Sequence, residues 1–127
     1  MTQSPQVLAP TLVRSMAATG SPHQMVSMLL GGALGRLARA RDELLTGAGQ
    51  SLAAAVSIIE ALQGSLDMDR GGQLAANLFD LYDYMLRRLE QARIERDPDS
   101  LAEVSSLLET ILEGWEAIAP EVSALPA

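Results

Sequence analysis

Apolar residues recur at alternating steps of four and three through each long segment of this chain. Val26, Leu30, Ala33, Leu37, Ala40 and Leu44 keep that spacing, as do Leu101, Val104, Leu108, Ile111, Trp115 and Ile118. A helical turn places such positions on one stripe, whereas a strand needs alternation by two, which no segment shows. The chain is therefore expected to be all-α. Its 127 residues suffice for one domain with a core and are too few for two.

Turn signals divide the chain into four long helices. Ser21-Pro22 reads as N-cap and first helical residue of a helix running to about Leu45, ended by "TGAGQ". A second helix is expected from Gln50 to Leu66, where "DMDRGG" stops it. The third starts at Gly71-Gly72 and runs to about Ile94, with Leu74, Leu78, Leu81, Met85, Leu89 and Ala92 as its seam. After "RDPDS", Ser100 and Glu103 form a capping box for a last helix reaching about Ile118. Short connections favour antiparallel neighbours, so the expected fold is an up-down four-helix bundle over 21–118. Residues 1–20 are expected to be a flexible N-terminal segment holding at most a short helix, and 119–127 a disordered tail.

Charge and composition exclude several function classes. The nine Arg residues all precede Asp97, and from there on come seven acids and no base, which equals the net charge of −7. A nucleic-acid partner would need a basic stripe. With no Cys and a single His, thiolate metal sites and nucleophile–His pairs fail, and no Glu-x-x-His offers the ligands of a di-metal bundle. Asp67 and Asp69 beside Arg70 read as turn closure, and Gly71-Gly72 as a steric device rather than a phosphate loop. No cofactor, no metal and no membrane insertion are expected. The N-terminus lacks signal-peptide order, so the expected location is cytoplasmic. What remains is a protein that binds another protein.

Two segments show too little polar surface for a bundle standing alone. Between Pro22 and Gly35 the only titratable side chain is His23, and between Gln50 and Leu66 the only charge is Glu60. Met28, Gly31 and Gly35 fall opposite the Val26–Leu44 seam, with Met25 and Leu29 nearby. Such a smooth strip, together with Ile58 and Leu62 of the second helix, suits a groove for another segment. Three of the four aromatics crowd into the third helix. Tyr82 lies near the seam and should be mostly buried, with its hydroxyl reaching a polar partner at the rim. Phe79 and Leu86 widen the apolar arc on one side, and Tyr84 sits on the opposite flank.

"SLDMDRGGQLAANLFDLYDYMLRRL" resembles the signature of the FliS-type flagellin export chaperones, through Gly71, Gly72, Leu74, Ala75, Asn77, Leu78, Leu81, Tyr82, Asp83, Tyr84 and Met85. "SPHQMVSMLLGGAL", "AAVSIIEAL" and "SLAEVSSLLETILEGW" are similar to the family's other helices, in order, from about Ser21 to Pro120. The chain departs from the pattern at Leu30-Gly31, where Tyr or Phe followed by Asp is usual, and in having no Tyr in residues 1–20. The resemblance implies a chaperone that binds the C-terminal segment of flagellin, prevents early polymerisation and passes its client to the type III export apparatus. It also implies a contact of the N-terminal segment with the export gate. Partner-binding residues are then Met25, Met28, Leu29, Gly31, Gly35, Ile58, Leu62, Phe79, Tyr82, Tyr84 and Leu86. The empty protein is expected as a monomer or weak homodimer. Gly31 and Gly35, four apart, also suit contact between two copies, which keeps a homodimeric scaffold without a client as the alternative.

Overall fold

The computed structural model describes residues 21–47 and 49–118 and holds four helices: α1 (Pro22–Thr46), α2 (Gln50–Gly64), α3 (Met68–Glu95) and α4 (Pro98–Ala117). Among the described residues there is no strand. The expectations for 1–20 and 119–127 lie outside the described residues. Helix ends follow local chemistry. Ser21 caps α1, its hydroxyl accepting the Gln24 N–H at 3.1 Å, and Pro22 supplies a first residue with no N–H to satisfy. Gly47, at φ 85°, closes the other end in the left-handed conformation.

α2 has no side-chain cap of its own. Glu43 of α1 does that work, accepting the Ser51 N–H at 3.0 Å as well as the Ser51 hydroxyl. These bonds favour the ionised carboxyl and hold its pKa below the ordinary value. At α3, Asp67 accepts the Arg70 N–H at 3.1 Å. The helix then breaks at Gly72, whose φ of 55° and ψ of −136° lie outside what side-chain-bearing residues adopt. A Cβ on Gly71 would collide with that of Ala75. The steric reading of the glycine pair is thus correct, and the long straight part of α3 begins just after it.

The expected capping box at Ser100 is not what starts α4. Asp97 is the cap, accepting from the Asp99 N–H and the Ser100 hydroxyl, both at 3.0 Å, with Pro98 as first helical residue. Proline's fixed φ fits that position, and an ionised acid is a strong cap at the positive end of a helix. Ser100 is buried, and Glu103 turns to α3 instead.

Connections of two or three residues make successive helices antiparallel. Each helix packs on its two neighbours, and α4 returns to α1, closing a ring. The core holds Leu29, Leu30, Leu37, Ile59, Leu62, Met85, Leu89 and Leu108, with Ala33, Ala40, Ala55 and Ala92 letting the backbones approach. Each fully buried large apolar side chain contributes about 1.5–3 kcal/mol. The α1 seam is buried from Leu30 to Leu44, and the α4 seam from Leu101 to Leu108. Leu74, expected in the α3 seam, is instead 68% exposed, because it follows the Gly72 break beyond the cover of neighbouring helices. The uncharged character of 50–66 likewise has an internal cause. α2 is the shortest helix and buries Ser51, Leu52, Ala55, Ser57, Ile58, Ile59 and Leu62 of its 15 residues, which leaves little of it to carry charge.

Candidate protein-binding surface

α1 and α3 begin, and α2 and α4 end, at the same end of the bundle. There the helices part around an apolar groove of about 600 Å³. Val26 of α1, Leu62 of α2 and Leu66 of the following turn form one part of it. Leu74, Leu78 and Tyr82 of α3 and Ile111 and Trp115 of α4 form the rest. Asp67 and Arg70 stand at its rim as a loose, exposed pair at 3.7 Å. The glycine pair is the local cause of this shape. By bending the chain at Gly72 it leaves Leu74 uncovered, with Met68 exposed nearby.

Tyr82, as expected, is mostly buried at 3% exposure, and this burial pushes its hydroxyl pKa up to about 12. The polar partner expected for that hydroxyl is not found among the described residues. Trp115, which lines the groove, stacks on His23 behind it, with ring centroids 4.7 Å apart and 8° between planes. The indole Nε1–H donates to the His23 carbonyl at 2.9 Å, and His23 Nε2 lies 2.9 Å from the Trp115 carbonyl. Ninety-two positions apart, these residues fasten the first turn of α1 to the last turn of α4.

The sequence-predicted residues do not gather into one patch. Met28 is 52% exposed on the outer face of α1, in line with Gly31 and Gly35, where an added Cβ would meet no atom within 4 Å. Gly32, by contrast, faces Ile58 of α2 at 3.7 Å. Met25 is half-buried against the core. Leu29, Ile58, Leu62 and Tyr82 are core residues rather than surface ones, since neighbouring helices close over them; only Leu62 and Tyr82 also line the groove. Phe79 is 40% exposed on the flank nearer α2, where its carbonyl accepts from Gln63 Nε2 at 3.1 Å, and Leu86 is half-buried. Tyr84 faces α4 and donates to Glu103 at 2.9 Å, beside the Arg88–Glu103 ion pair. Arg88 first, then Tyr84, hold the Glu103 carboxyl below its ordinary pKa, and Glu103 raises that of Tyr84.

Sequence reading missed the groove itself. Val26, Ile111 and Trp115 each read as ordinary seam residues, and only their places at helix ends distinguish them from core. Among the described residues no group of His, Asp and Glu could hold a metal ion, and no helix is long and apolar enough to cross a membrane.

The model of the family described as flagellar protein FliS matches residues 9–122. The chain belongs to the FliS family. The flagellar secretion chaperone FliS of Salmonella typhimurium is 43% identical to it over 116 residues, 87% of this chain and 86% of that protein. Its namesake in Escherichia coli is 39% identical over 116 residues, 87% of this chain and 85% of that protein. The flagellar secretion chaperone FliSB of Pseudomonas aeruginosa is 38% identical over 110 residues, 84% and 87% of the respective chains. Gly71, Leu74, Ala75, Leu78 and Tyr82, five of the eleven residues that carry the FliS resemblance in the sequence, line the groove. In this FliS-family chain part of the signature therefore lines an apolar surface.

Proposed function

We propose that this flagellar secretion chaperone binds the C-terminal segment of flagellin in the cytoplasm, keeps it from polymerising, and delivers it to the type III export apparatus. The observation that carries this reading is the apolar groove at the open end of the bundle. A segment that is disordered alone and helical in the filament has apolar anchors at helical spacing, and such a groove shelters them. The bare strip of Met28, Gly31 and Gly35 offers a second length of smooth surface on α1 for the same client. Binding of this kind needs no cofactor. Titration with a peptide spanning the flagellin C-terminal segment should give one client per chaperone and a gain in peptide helicity. Absence of binding to a helix-competent peptide would sink the proposal.

The exposed α1 strip also favours a second reading, pairing of two copies through Gly31 and Gly35. Light scattering separates the two: a scaffold stays dimeric when the peptide is added, and a chaperone forms the one-to-one complex. Contact between the N-terminal segment and the export gate is part of the same proposal. It is tested by deleting residues 1–16 and measuring flagellin export alongside flagellin binding.

A further inference from the structure

We propose that His23 is a positioning residue for client binding, holding the Trp115 indole in place as one wall of the groove. The inference rests on the chaperone reading above and deepens it. A carbonyl oxygen only accepts, so the short approach of His23 Nε2 to the Trp115 carbonyl means that Nε2 carries the proton. The indole N–H is returned to the His23 carbonyl, so each residue satisfies the other. Stacking fixes the plane of the indole, and the Nε1 bond fixes its rotation within that plane.

His23 is 7% exposed and does not line the groove, whereas Trp115 does. A client thus meets the indole and not the imidazole. A held aromatic face gives contact area with little conformational entropy left to lose, and it suits an aliphatic side chain from an amphipathic helix. Leu74 and Leu78 of α3 line the same groove and are equally apolar. The expected occupant is therefore a Leu- or Ile-type anchor on the client's helical face, with no charged group entering at that level.

Trp115 is the only tryptophan, so its fluorescence reports this wall alone. Titrating the full chain with the flagellin C-terminal peptide should shift Trp115 emission to the blue and protect it from acrylamide quenching. His23→Gln keeps a donor for the Trp115 carbonyl and removes the ring. It should weaken peptide binding roughly tenfold and leave the free indole more open to quenching. His23→Phe keeps a ring to stack and should lose less. Peptide binding that leaves Trp115 emission and quenching unchanged overturns the inference while the chaperone reading survives. So does wild-type affinity in both variants. No binding by the unaltered protein overturns the chaperone reading and this inference with it.

Discussion

The two ends of the bundle use the same residue types to different effect. Where α1 passes to α2 and α3 to α4, Leu44, Leu52 and Leu101 are buried while Leu45 and Ile94 beside them face solvent, and Glu43 and Asp97 cap the helix starts. At the other end Leu74, Met68 and Ile118 are exposed, and Leu66, Leu78 and Ile111 are only partly covered. Hydrophobicity alone does not decide which leucines form core. What distinguishes the open end is that its exposed and partly covered residues Leu66, Leu74, Leu78 and Ile111 converge on one groove, whereas Leu45 and Ile94 stand at the far end from it.

The sharpest way to break this comparison is to truncate one leucine at each end. Leu89→Ala should lower stability by about 3 kcal/mol in denaturant unfolding, since the cavity lies among fully packed neighbours. Leu74→Ala should change stability by less than about 0.5 kcal/mol while weakening flagellin-peptide binding measurably. Equal stability losses would mean that the open end is core after all. Next in size, Gly72→Ala forces a side chain into a positive-φ conformation and should cost about 1–3 kcal/mol. Unlike Leu89→Ala it should also disturb peptide affinity, because it moves Leu74. At the closed end, Asp97→Ala removes the α4 cap and should cost about 1 kcal/mol, with peptide affinity unchanged in calorimetry.

The smallest expected effect is one of pH. The Glu43 carboxyl is held below its ordinary 4.5 by Ser51, so the folded state favours the ionised form. Its contribution is present above pH 4.5 and lost as the pH falls through the depressed value. In thermal melts the gap between the unaltered protein and Glu43→Gln should therefore be widest near neutrality and close in acid. A gap independent of pH would detach the carboxylate from the α2 start.

Much of the architecture was legible because it is periodic. Ser21-Pro22 and the Leu30–Leu44 seam need only local chemistry and helical spacing to be read. The start of α4 was misread because two caps compete within four residues, and the choice of Asp97 over Ser100 depends on Pro98 between them. The bare character of α2 divides between core and groove, since Ile58 is buried while Leu62 is buried and also lines the groove, a distinction that residue spacing does not reveal. Phe79 and Tyr82 fell on the expected sides of burial, since a helical wheel orders them correctly. The groove was invisible for a different reason. It is made by the ends of four helices, and its His23–Trp115 fastening joins residues too distant in sequence to leave a pattern.

The cap that α1 lends to α2 also bears on the order in which the chain acquires structure. A helix whose only side-chain cap is lent by another helix gains little by forming alone, and isolated helices of its length are marginal in water. Glu43 and Ser51 are eight positions apart, so the loop that joins them closes at small entropic cost. The last turn of α1 and the first turn of α2 are therefore expected to form and open as one cooperative unit. In native-state hydrogen exchange, the Ser51 amide and the amides of the last turn of α1 should share a single opening free energy.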